Sequence, residues 1–306
     1  MCENIFSQQT VLFNQYTLNS YGLNPAYAGS NNKWEFMGGQ HRQWIGLPNA
    51  PTTTFISAIY TYRRNFSYSG SHGFGVYIDQ DVRGMLTSRS YYASYSYHIH
   101  LNAKYNLSFG AFIGARGMFL SQAAYSGSDP AFSQSIKTVY LYPDIIPGFR
   151  LYSKKMFVDM AIRQLYKNKV DQGSQQLGTN SKLIPHVYIT IGQKVTLPNK
   201  DFMFMPTLYL QSSIKTFPMV NVGALMYYRG RIGIGFNHTF KNSFTSILHV
   251  RFNKESIFGI SYCYPTNNAK YISTNTVEVI FGFTPKSISD GDAGRRDVVR
   301  CPAFDF

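Results

Sequence analysis

Few residues in this chain are spaced to do chemistry. His98-Ile99-His100 sets two imidazoles on one side of an extended segment, because side chains two positions apart share a face. Such a pair can bind zinc, but a zinc site takes three or four ligands, and no third lies nearby in sequence. Ser94 and Ser96 fall on that same face and offer the parts of a hydrolase. Ser94 and His98 would stand about 13 Å apart along a strand, beyond direct contact. No acidic residue sits beside Ser96 and His98 to orient the ring. Asp79-Gln80-Asp81 lacks the spaced ligand series of a calcium loop. Gly73-Phe74-Gly75 is no phosphate loop; glycine inside a strand marks a bend or a close approach. The three cysteines, Cys2, Cys263 and Cys301, form no CxxC pair and no disulfide framework. Cys2 is preceded by no apolar run, which argues against a lipoprotein. The expectation is a protein with no catalytic residues, no metal and no cofactor.

The elements that would position these residues are strands. The chain has 306 residues, 44% hydrophobic and 16% aromatic but only 14% charged, which excludes a disordered chain. No stretch reaches the roughly 18 apolar residues of a membrane helix. The dominant signal is alternation. Phe244, Ser246, Leu248, Val250 and Phe252 oppose Thr245, Ile247, His249, Arg251 and Asn253. Tyr91, Ala93, Tyr95, Tyr97 and Ile99 oppose Tyr92, Ser94, Ser96, His98 and His100. Such segments are expected at 33–45, 52–64, 73–82, 86–100, 105–120, 145–152, 156–167, 186–196, 202–213, 219–229, 231–240, 243–253, 256–264 and 276–284. Many run to about ten residues or more, the length a tilted strand needs to cross a bilayer. Fourteen is also an even number, as a single-chain bacterial barrel requires. The fold class is therefore all-β, a transmembrane antiparallel β-barrel of about fourteen strands.

The connections sort by length. Long ones, 121–144, 168–185 and 265–275, follow the fifth, seventh and thirteenth segments and so fall at one end. Short ones at Ser153-Lys154-Lys155, Leu197-Pro198-Asn199-Lys200-Asp201, Gly230 and Lys254-Glu255 fall at the other. Short periplasmic turns and long external loops are the asymmetry of outer-membrane barrels. Tyr60, Tyr62, Tyr91, Tyr92, Tyr227, Tyr228, Tyr262 and Tyr264 are expected to contribute to the interfacial aromatic girdles. The formal net charge is +14, scattered with small groups at Arg63-Arg64, Lys154-Lys155 and Arg295-Arg296. No clustered face suits nucleic acid. The excess is expected to face the lumen, lipid headgroups or an acidic partner.

The residues before the first strand carry a resemblance. They read Gln15-Tyr16, then Asn24-Pro25-Ala26-Tyr27-Ala28-Gly29, then Arg42-Gln43-Trp44-Ile45-Gly46 and Ala50-Pro51-Thr52-Thr53. This resembles the PorP/SprF family of type IX secretion system membrane proteins, which opens with Q-Y, N-P-A-Y-A-G, R-x-Q-W-x-G and G-A-P-T-T. Asn49 stands where the last block has glycine, and Trp44 follows Gln43 directly. Gly73 to Gly75 and Cys301-Pro302-x-Phe304 are also similar. The resemblance implies a non-enzymatic outer-membrane barrel that assists secretion and surface anchoring of a cargo protein, gliding-adhesin-like, through its C-terminal domain. It implies other type IX components as partners, alongside outer-membrane lipids. The motif residues, Gln15, Tyr16, Asn24, Pro25, Ala26, Tyr27, Gly29, Arg42, Trp44, Gly46, Pro51 and Thr52, would be structural or docking elements. A transport porin is the alternative function.

The expected organisation is a signal-peptide remnant at 1–8, a strap or plug at 9–32, the barrel at 33–284 and a periplasmic tail at 285–306. Asn24 before Pro25 is pushed toward extended backbone, and Gly29 can turn the chain into the first strand. An ordered strap closing the base of the barrel is the expected role of the 9–32 segment, with a plug or docking element as the other reading.

Overall fold

Alternation with a period of two can bury only one face of a strand, and closing the sheet on itself decides which face that is. The computed structural model describes residues 13–31, 34–62, 70–120, 139–166, 184–198, 201–213, 218–253, 255–268 and 275–285. Among them run β1 (Glu35–Arg42), β2 (Thr52–Tyr62), β3 (Ser71–Arg83), β4 (Leu86–His100), β5 (Asn106–Leu120), β6 (Val139–Tyr152), β7 (Met156–Arg163) and β8 (His186–Gln193). There follow β9 (Val195–Thr196), β10 (Phe202–Ser213), β11 (Met219–Tyr228), β12 (Ile232–Thr239), β13 (Ser243–Arg251), β14 (Ser256–Pro265) and β15 (Thr276–Phe283). Every pairing is antiparallel, each strand of the wall pairs with the next (β8 with β10), and β15 pairs back onto β1. The result is a closed barrel of fourteen strands, the architecture expected from the alternation.

The two-residue β9 lies outside that closure. It pairs with Met203 and Phe204 of β10 in the same register as β8. The gap between β8 and β9 falls opposite Met205 and Pro206, and Pro206 has no N–H to give the ladder. β6 starts six residues earlier than expected, so 139–144 belongs to the barrel and not to a loop. Pro143 and Pro147 obscure the alternation there, yet both sit in register opposite Ala115 and Ala111.

The barrel is apolar outside and polar inside. Along β4, Ser90, Tyr92, Ser94, Ser96 and His98 are buried while Tyr91 and Tyr95 are about half exposed, at 50% and 47%. Outward-facing Phe36, Ile56, Phe74, Val76, Ile113, Leu141, Val222, Ile234 and Phe236 repeat the pattern around the wall. A barrel in water would show the reverse, so the outer surface suits lipid. Tyr92 and Tyr227 correct the expected girdle: both are buried in the lumen, because adjacent residues on one strand cannot face the same side. Tyr60, Tyr62, Tyr91, Tyr228, Tyr262 and Tyr264 do face outward. At the short-turn end, Trp34 stacks on Phe36 at 5.8 Å and meets Tyr60 at 4.6 Å. His72 lies against Tyr62, Tyr95 and Tyr97 in the same belt. No helix among the described residues is long and apolar enough to cross a membrane, which says nothing against strands.

Candidate functional site: the filled lumen

A barrel with a polar interior needs something to satisfy its inward side chains. Here residues 13–31 do so. Each of them is buried, and the segment runs inside the barrel before joining β1. It contains one short helix, α1 (Ser20–Leu23), and a 3-10 turn at Pro25–Tyr27. The sequence dictates that turn: the Asn24 side chain accepts from the Ala26 N–H at 3.0 Å, and Pro25 takes the first position, where no N–H is needed.

The segment is held at three levels. At its start, Glu278 of β15 accepts the backbone N–H groups of Asn14 at 2.8 Å and Gln15 at 2.9 Å. His41 Nδ1 donates to the same carboxylate at 3.0 Å, and Gln43 donates to His41 Nε2 at 3.2 Å. Gln15 accepts from His249 Nε2 at 3.1 Å, whose Nδ1 accepts from the Tyr227 hydroxyl at 2.7 Å. Tyr16 stacks on Tyr209 at 5.1 Å and hydrogen-bonds Thr207 at 2.7 Å. In the middle, Tyr21 packs on Phe112 and Tyr77 and bonds Ser94 at 2.7 Å, while Arg163 donates to the Gly22 carbonyl.

The third level is the Asn24–Gly29 block. Asn24 donates to the Phe149 carbonyl at 2.8 Å, and Ser108 donates to Ala26 O at 2.9 Å. His98 donates from Nε2 to Ala28 O at 2.6 Å and accepts from Tyr152 at 2.8 Å through Nδ1. His98 is therefore a clamp on this segment, and His100 turns instead to Asn106. Tyr27 donates to Glu35 at 3.2 Å. The Arg150 guanidinium lies 4.8 Å from the Tyr27 ring and 5.1 Å from Phe157, and is paired with Asp159 at 2.7 Å. Gly29 takes a φ of +85° and touches Gly73, where a side chain would collide with the Ala28 carbonyl. The Gly-x-Gly of β3 thus exists to let the segment approach.

The other half of the motif lies elsewhere. Arg42 ends β1, pairs with Thr52 of β2 and is exposed. Trp44 has φ 51° and Gly46 φ 102°, so the chain leaves the strand in a strained turn at the long-loop end. Gln43 N donates to Pro51 O at 2.9 Å, closing that connection. The structure brings Gln15, Tyr16, Asn24, Pro25, Ala26, Tyr27 and Gly29 together in the lumen. Arg42, Trp44, Gly46, Pro51 and Thr52 sit together at the rim. Glu278 and His41 bridge the two groups, and neither stood out in the sequence. Their signal was a charged or ring side chain on the inward face of an alternating strand, as at Thr276-Val277-Glu278-Val279-Ile280. Cys263 is buried; Cys2 and Cys301 lie outside the described residues, as do the tail from 286 and most of the three long connections. Among the described residues, no group of three or more His, Cys, Asp or Glu is placed to hold a metal ion.

A closed barrel of this kind with an internal N-terminal segment defines a membrane-spanning protein of the outer-membrane type. Solved structures share that fold. The TodX deltaS2S3 mutant monoaromatic hydrocarbon channel is similar at a TM-score of 0.51 and 7% identity, over 90% of this chain and 95% of that one. The TodX deltaS2 mutant is similar at 0.50 and 8% identity, over 86% and 93%. At such identity the likeness is one of fold alone. No curated protein matches the sequence. The family model described as type IX secretion system membrane protein PorP/SprF matches residues 5–283. The chain belongs to the PorP/SprF family.

Proposed function

We propose that this protein is a non-enzymatic outer-membrane component of the type IX secretion system that holds a secreted cargo protein at the cell surface by its C-terminal domain. The short-turn end faces the periplasm and the long loops face outward, in keeping with the barrel asymmetry. The observation that carries the reading is the filled lumen: a segment bonded to both ends of the chain, from Glu35 to Glu278, suits a rigid platform better than a conduit. The Asn24–Gly29 block is a structural element that holds the wall in shape. The Arg42–Thr52 connection and the loops within 121–138, 168–185 and 265–275 form the cargo-facing surface.

Deleting 168–185 tests this. The barrel should still insert, and cargo should appear in the medium instead of on the cell; unchanged surface cargo would sink the proposal. A transport porin makes the opposite prediction in planar bilayers. The platform should show no large open conductance, whereas a porin should show a steady one.

A further inference from the structure

The charge excess has an address. The six connections at the short-turn end hold ten Lys and Arg against one Asp and one Glu in 31 residues. The seven at the long-loop end hold seven Lys and two Asp in 69 residues. Among the described residues, Lys104, Lys154, Lys155, Lys194, Arg229 and Arg231 lie at the short-turn rim, against Lys241 in the connections at the other. The short-turn cations also sit on the aromatic belt: Lys104 Nζ lies 5.2 Å from the Tyr105 ring, and the Arg229 guanidinium lies 5.2 Å from Tyr228. An aromatic belt with cations directly beyond it is what lies at the level of lipid phosphates.

The rim is concave beside the turn between β11 and β12. A recess of about 450 Å³ is lined by Tyr228, Arg229, Arg231 and Ile232. Tyr228 and Ile232 face outward from β11 and β12, so its floor is continuous with the lipid-facing wall. Arg229 is held by a two-point pair with Asp201, at 3.2 and 3.3 Å. Arg231 has no side-chain partner among the described residues. In the turn itself φ is 48° at Arg229 and 63° at Gly230, Arg231 N donates to Tyr228 O at 3.0 Å, and Tyr228 pairs across to Ile232. Such a turn favours Asn-Gly or Gly-Gly. Arginine at a positive φ is chosen against backbone preference, which points to its side chain.

We propose that this recess binds the phosphate of an anionic phospholipid headgroup, with Arg231 as the contact, Arg229 beside it, and the acyl chains along Tyr228 and Ile232. A guanidinium matches phosphate in a two-point geometry, and the recess opens toward lipid. The partner is a lipid and not an acidic protein, because half of the lining is apolar and belongs to the membrane face.

The test uses the full chain in detergent, with native mass spectrometry of retained lipid. Phosphatidylglycerol and phosphatidylcholine of equal chain length are the probes. The unaltered protein should retain phosphatidylglycerol by about tenfold over phosphatidylcholine, given two basic residues near the headgroup. Arg229→Asn with Arg231→Gln should erase that preference, while Lys241→Gln at the opposite end should leave it. Arg231→Gln alone serves if the double variant misfolds, and should lower the preference severalfold. An unchanged preference in these variants overturns the proposal. So does complete displacement of phosphatidylglycerol by millimolar inorganic phosphate, which would mark a site for free anion.

Discussion

The two halves of the family motif sit in opposite environments. Gln15 to Gly29 is buried, and Gln15, Tyr16, Tyr21, Asn24 and the Ala26 and Ala28 carbonyls are bonded to the wall. Arg42 to Thr52 lies at a rim, where Ile45 is 39% exposed and no atom lies near a Cβ built on Gly46. Motif residues are often treated as one functional unit, but here the chemistry differs by half. The inner half is fixed by desolvated hydrogen bonds, each costly to leave unmade. The outer half carries backbone strain at Trp44 with little packing to explain it, which is where a contact surface would hold strain. The first half is tied into the wall, and the second is left at the rim with few contacts of its own.

That contrast can be broken at several points. The largest effect should come from Arg150→Ala. It strands Asp159 without its cation and removes the cation from Tyr27, so unfolding in urea should show a loss of about 3–5 kcal/mol. Glu278→Ala comes next. It removes the acceptor of two backbone N–H groups and of His41, at about 1–3 kcal/mol for each group left unmade, and should make residues near Asn14 cleavable by added protease. Gly73→Ala should cost about 1–3 kcal/mol by forcing the Ala28 carbonyl away from the wall, read as a lower urea midpoint. Trp44→Gly should have the smallest effect on stability, within about 1 kcal/mol, since glycine suits its positive φ. If the outer half meets cargo, that same variant should lower surface cargo severalfold. Equal stability losses in both halves would dissolve the comparison.

Much of the fold could be read from residues alone. The alternation in Phe244–Asn253 and Tyr91–His100 defined strand positions and the wall's two faces, because side-chain direction is a local property of extended backbone. The start of β6 was hidden, since Pro143 and Pro147 imitate loop residues when only local chemistry is considered. Tyr92 and Tyr227 lie next to outward-facing tyrosines near strand ends, and only the phase of each strand tells which face they take. The filled lumen was less legible. Nothing local says that Gly73 faces Ala28 or that Glu278 faces Asn14; those contacts join residues 45 and 264 positions apart. His98 showed the same limit. Its spacing with His100 argues for an inward-facing polar pair short of a metal site, but not for its partners, which come from Ala28 and Tyr152, on other elements.

The Glu278 bonds have a consequence for assembly. The carboxylate that grips Asn14 and Gln15 belongs to the last strand made, and that strand also zips against the first. Contacts so distant in sequence form late, after the entropy of closing the intervening chain has been overcome. A nascent chain halted before β15 would therefore present an open seam and an ungripped leader at once. Insertion machinery or proteases sensing either defect would reject the same unfinished molecules, so completion of the wall and capture of its filling become one checkpoint.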